Sequence, residues 1–111
     1  METNSKTTNM SELPMESNLT LNEELELIEH VKQGNKEAEE QLKNVNIRLV
    51  SGVAKRYLNK GVSEEDLLKA GKEGLIKAAR KYDASRGFKF MSYAVWWVRQ
   101  SILAAVGEEQ K

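Results

Sequence analysis

Cysteine is missing from this chain of 111 residues. Its absence excludes disulfides, nucleophilic thiols and thiolate metal sites, and it fits a reducing, cytoplasmic compartment. Histidine occurs once, at His30. A lone histidine builds no metal cluster, and no neighbour makes it a catalytic base, so it reads as a helix-surface residue. Long apolar runs are lacking too. Mean hydropathy is −0.60, and no stretch approaches the roughly 20 apolar residues that a bilayer crossing needs. No basic segment followed by an apolar one opens the chain, so a secretory leader is not expected. A phosphate-binding glycine loop is absent, as is any evident pair of carboxylates in a pocket. An enzyme, a cofactor, a small-molecule substrate and a membrane partner are therefore not expected.

Aromatic residues make up only 6% of the chain, yet five of the seven fall in GFKFMSYAVWWVRQ, residues 87–100. These are Phe88, Phe90, Tyr93, Trp96 and Trp97, with Lys89, Arg99 and Gln100 among them. Charge of both signs is plentiful and unevenly placed. Residues 1–45 carry 4 Lys/Arg against 10 Asp/Glu, and residues 46–111 carry 13 against 7. The aromatic run thus sits in the basic half, which points toward nucleic acid. For the charge alone, a solvated helical surface is the better explanation.

Residues 1–18 hold the only proline, Pro14, and no apolar period. They are expected to be disordered, with one helical domain over residues 19–111. Thr20-Leu-Asn-Glu23 has the spacing of a capping box. Leu21, Leu25 and Ile28 follow as an apolar stripe that Gly34 stops. Asn35 opens a second, longer helix whose stripe runs Ala38, Leu42, Val45, Leu49, Val53, Tyr57. Gly52 within it predicts close packing. Ser63-Glu-Glu-Asp66 starts a third helix, with Leu67, Leu68, Gly71, Leu75, Ala78 and Ala79 on its buried side and Gly71 and Gly74 admitting a neighbour. Asp83–Gly87 reads as a turn, and a fourth helix runs from about Ser92 to Val106. No strand period appears. The fold class is all-α, a compact bundle of about four helices.

On the fourth helix Ala94, Val98, Ser101, Ile102 and Ala105 share one small, apolar face. Tyr93, Trp96, Gln100 and Leu103 share another, so Tyr93 and Trp96 are expected away from the packed side, with Trp97 between. Exposed aromatics beside an amide and cations can stack on bases. Aromatics that cover a neighbouring helix would show the same periodicity.

Several stretches in order carry a specific resemblance: Asn46-Ile-Arg-Leu-Val50, Ala54-Lys-Arg-Tyr57, Asn59-Lys-Gly61, Asp66-Leu-Leu68, Gly74-Leu75, Arg86-Gly-Phe-Lys-Phe90 and Tyr93-Ala-Val-Trp-Trp-Val-Arg-Gln100. The chain resembles region two of a bacterial sigma factor of the sigma-70 family, primary type, with the end of region one before it. The resemblance implies a transcription initiation factor that binds RNA polymerase core through the clamp coiled coil. It also implies recognition and melting of the promoter −10 element by capture of the single-stranded non-template strand. By position match, Tyr93 would stack on a flipped adenine, and Trp96 and Trp97 would wedge the upstream edge of the bubble. Phe88, Lys89, Phe90 and Ser92 would line the strand, Gln100 would face the upstream fork and Arg99 its backbone. Asp66, Leu67, Lys69, Ala70 and Lys72 would meet the polymerase.

Three departures accompany the match. Family members normally continue into domains for the extended −10 and −35 elements, without which the grip on duplex DNA is expected to be lost. Where the family usually has Gln-Glu-Gly-Asn, this chain has Lys69-Ala70-Gly71-Lys72, a shift of +3 in charge that implies weakened docking on a basic coiled coil. Leu103 and Ala104 stand where many members carry Thr and Arg, and leucine cannot hydrogen-bond a base edge. The alternative function is a degenerate sigma-like regulator or decoy that keeps nucleic-acid or partner binding but docks poorly on the core.

Overall fold

Capping chemistry sets most of the helix starts. The computed structural model describes residues 19–109; the tail expected to be disordered, residues 1–18, lies outside the described residues. Helix α1 (Leu21–Lys32) opens on a complete capping box, with the Glu23 amide donating to the Thr20 hydroxyl and the Thr20 amide to the Glu23 carboxylate. Asn35 caps α2 (Lys36–Val45) by accepting from the Ala38 amide, and Ser63 caps α4 (Glu64–Lys81) by accepting from the Asp66 amide. Helix α3 (Ile47–Ala54) and the long α5 (Phe90–Glu109) complete the set, with single 3-10 turns at Lys55–Tyr57 and Ala84–Arg86. Among the described residues there is no strand, and the class is all-α.

The expected single helix after Asn35 is two helices, giving five in place of four. The break falls at Asn46, which is 2% exposed. Its side-chain amide donates to the Leu42 carbonyl at 3.0 Å, the acceptor its own backbone N–H would use in an unbroken helix. That N–H turns instead to Lys43. Because the side chain takes over that bond, the Leu42 carbonyl is not left unpaired at the break.

The core sits where α3, α4 and α5 meet, around Val50, Leu67, Leu75, Phe90, Val98 and Ile102. Two glycines of α4 set how closely α3 and α5 approach. A Cβ at Gly74 would lie 2.6 Å from the Trp97 carbonyl oxygen, and one at Gly71 would lie 2.7 Å from Val50 Cγ1. Gly52, expected at a close contact, is half-exposed on the rim of a groove with Arg56, Tyr57 and Arg99. The α1–α2 pair is tied to the far end of α4. Arg80 donates to the Glu39 carboxylate at 2.6 Å, and the Lys32 ammonium donates to the Tyr82 carbonyl just past the end of α4. No helix among the described residues is long and apolar enough to cross a membrane.

Candidate nucleic-acid interface

Six aromatic rings form one continuous chain from the core to the surface. Phe90 is 1% exposed, and its ring centroid lies 5.2 Å from that of Tyr82, nearly edge-on. Tyr82 in turn meets Phe88 at 5.7 Å and Tyr93 at 5.8 Å. Tyr93 contacts Trp97 at 6.2 Å, and Trp97 meets Trp96 at 5.4 Å with the planes 85° apart. Trp96 closes the chain 51% exposed. The run is therefore neither wholly core nor wholly surface. Each edge-on pair contributes about 0.5–1.5 kcal/mol beyond area burial, so the inner rings hold the outer ones in place.

The turn before α5 aims this chain. The Ser85 hydroxyl and amide both donate to the Asp83 carboxylate, at 2.6 and 3.0 Å. Those two bonds, aided by Arg86 and Lys32, hold the Asp83 carboxyl below the usual carboxylate range. Gly87 follows at φ +88°, a left-handed conformation that a side chain would strain, and it reverses the chain into Phe88. The Tyr82 hydroxyl then donates to the Phe88 carbonyl at 2.5 Å. Burial, followed by the nearby Glu24 and Asp83 charges, pushes the Tyr82 phenol up from its ordinary value.

Of the residues expected at the strand, Lys89, Ser92, Trp96, Arg99 and Gln100 are exposed, as is Phe88 at 37%. Tyr93 and Trp97 are half-buried, so Tyr93 packs on Tyr82 and Phe88 more than its helical position predicts. Phe90 is corrected outright: its ring is core and cannot line a surface path. At the helix start, sequence adjacency to Phe88 and Lys89 gave no sign of which way it turned.

Two participants were missed. Tyr82 is the hub of the rings, and its signal was present: it continues the buried α4 stripe, Leu75, Ala79, Tyr82. Lys81 carries its ammonium 5.9 Å from the Trp97 ring centroid, within cation–π range. Lys77 lies one turn earlier and exposed. The glycines that bring α5 against α4 mark this flank.

The second expected surface is arranged differently. Asp66 and Lys69 are exposed, while Ala70 and Lys72 are half-buried. Leu67 is 0% exposed; it is a core residue and cannot meet a partner, since the first turn of α4 already points it inward. Lys69 and Lys72 line a shallow groove with Lys43, Glu64, Glu65, Leu68 and Glu73. Three ammonium groups there face three carboxylates, so the lysines do not form an isolated positive patch. Among the described residues no group of three or more His, Cys, Asp or Glu could hold a metal ion.

Comparison with known proteins adds two findings. A family model described as Sigma-70 region 2 matches residues 42–111. The RNA polymerase sigma factors SigA of a Bacillus species and of Clostridium acetobutylicum are each 42% identical to this chain over 93 residues, 84% of its length. Those residues are 25% of either relative, so the chain spans about a quarter of the curated proteins it matches.

Proposed function

From the premise that this chain belongs to the sigma-70 region 2 family, we propose that it is a promoter-recognition domain of bacterial transcription initiation. In this reading it works in the cytoplasm, joins RNA polymerase core and captures the unpaired non-template strand of the −10 element. One observation carries the proposal: the ring chain that starts in the core and ends at an exposed Trp96, flanked by Lys81, Lys89 and Arg99. Base–aromatic stacking supplies about 1–3 kcal/mol per base, comparable to the few kcal/mol needed to unstack one. A rigid platform therefore offsets melting without a chemical energy source. Trp96 offers a full face as the wedge at the upstream edge. Tyr93 offers the outer part of its ring to a flipped base, and Gln100 offers its amide to the fork. Lys81, Lys89 and Arg99 neutralise the backbone, with Phe88 and Ser92 along the path.

The second reading, a sigma-like regulator or decoy that docks poorly on the core, is favoured by one feature: Lys69 and Lys72 on the surface proposed to meet a basic coiled coil. Retention of the chain on immobilised polymerase core, in parallel with binding to a single-stranded −10 oligonucleotide, separates the two. Binding to both supports the initiation domain. Binding to the oligonucleotide alone supports the decoy, and binding to neither contradicts both.

A further inference from the structure

A groove of about 190 Å³ runs along the seam between α3 and α5. Leu49 and Val53 lie beneath it, and Val95 and the Tyr57 ring are half-buried on its walls. Arg56 and Arg99 stand exposed at its rim. No carboxylate lines it, and among the described residues neither guanidinium has an ion pair. From Gln41 to Ser63 the sequence carries five cations and no Asp or Glu. Two guanidiniums above apolar walls suit a bulky apolar side chain flanked by carboxylates. A phosphate backbone would engage the arginines alone, so the apolar walls favour a peptide.

We propose that the chain's own segment Ser11-Glu-Leu-Pro-Met-Glu16, which precedes the described residues, docks in this groove. Leu13 and Met15 face the apolar walls, and the Glu12 and Glu16 carboxylates meet Arg56 and Arg99 at the rim. Charge favours this occupant, because residues 1–18 carry three Glu against one Lys. Alternation in an extended segment sets both apolar side chains on one side and both carboxylates on the other. Pro14 fixes its own φ and biases Leu13 to extended backbone, which reduces the entropy lost on docking. The chain also arrives at the right place. Leu19 shares a cavity with Asn46 and Met91. Arg56 lies ten residues past Asn46, and Arg99 eight past Met91. The arginines are thus ~12–15 Å farther along the seam. The six residues back from Leu19 to Leu13 span up to ~20 Å when extended, so the segment reaches the groove. Arg99 has N–H groups enough to serve the segment and a strand phosphate together, so the inference stands apart from the DNA-binding reading.

The chain has no cysteine, so an engineered pair reports proximity in the full chain. Leu13→Cys is combined with Val95→Cys in the groove, or with Gln41→Cys, which is exposed and lines a different cavity at Leu19. Under one mild oxidant the groove pair should close an intramolecular disulfide about tenfold faster, through its higher effective concentration. Arg56→Glu with Arg99→Glu should remove that difference, and adding Glu12→Arg with Glu16→Arg should restore it. A second readout needs no cysteine. A glutamate-specific protease should cut after Glu12 and Glu16 about tenfold faster in Arg56→Ser/Arg99→Ser than in the unmodified chain, with melting temperatures alike because both arginines are exposed. Equal closure at the two sites with equal cleavage would overturn the inference and leave the arginines to phosphate. Disulfides that form only between molecules, and faster as the chain is concentrated, would overturn it in favour of a second copy's segment.

Discussion

Trp96 rests on Trp97 and otherwise faces outward, whereas Tyr93 is enclosed by Tyr82, Phe88 and Trp97. The two rings should therefore respond differently to removal. Trp96→Ala is expected to lower single-strand affinity by about 1–3 kcal/mol while changing stability by no more than about 0.5 kcal/mol. Tyr93→Ala is expected to lose about 1–3 kcal/mol of stability as well, because three ring contacts go with it. Thermal melts and oligonucleotide titrations of both variants check this; equal melting temperatures for the two would contradict it. Tyr82 permits a second test at this scale. Its folded-state pKa is raised above the ordinary 10.0. Its contribution to stability is thus fully present below about pH 10 and is lost as pH rises through the folded value. Melting temperature should fall above pH 10, and in Tyr82→Phe that fall should be shallower. At neutral pH the same variant should be about 0.5–1.5 kcal/mol less stable, having lost the bond to the Phe88 carbonyl.

At the scale of the elements, the seam between α4 and α5 turns on Gly74. Alanine ordinarily improves a helix by about 1 kcal/mol over glycine. Here the added methyl would sit 2.6 Å from a backbone carbonyl oxygen and from the Ser101 hydroxyl, and a backbone cannot swing aside. Overpacking of this kind costs about 1–3 kcal/mol, so Gly74→Ala should be net destabilising in chemical denaturation. A gain in stability would show that the helices separate easily. The same seam shows how far sequence reasoning reaches. Its glycines were legible at positions 71 and 74 because they interrupt an apolar stripe, and the helix starts were legible because side-chain caps are local chemistry. The break at Asn46 was not, because the apolar stripe continues across it at helical spacing, from Leu42 and Val45 to Leu49. Only burial of the Asn46 amide against the Leu42 carbonyl ends α2. In the candidate interface the exposed face of α5 followed from periodicity. The inward turn of Phe90 did not, since it opens its helix, where the period has barely begun; Leu67 already lay on the expected buried stripe of α4, and only the resemblance placed it at a partner surface. Lys81 ends α4 and Tyr82 caps it, and no pattern within residues 87–100 pointed to either.

Across the whole molecule charge divides between the halves, and the division bears on both proposed partners. On the polymerase side, Lys69 has Glu65 and Glu73 four residues away on either side, close enough to temper its charge. Exposed pairs of this sort contribute about 0–1 kcal/mol each. The triple change Lys69→Gln, Ala70→Glu, Lys72→Asn should therefore raise core affinity by roughly tenfold, about 1.4 kcal/mol, and leave oligonucleotide binding unaltered. Calorimetry of both forms against one core preparation measures it, and no change in core affinity would remove charge as the cause of weak docking. On the DNA side, the central claim is that an aromatic platform with a few cations captures unpaired bases. Titration of the full chain with a −10 non-template oligonucleotide and with the matched duplex, each at two salt concentrations, tests it most directly. The account predicts tighter binding to the single strand, with a log–log salt slope of about −2 to −3, as expected for three or four neutralised phosphates. Equal or tighter binding to the duplex would contradict it.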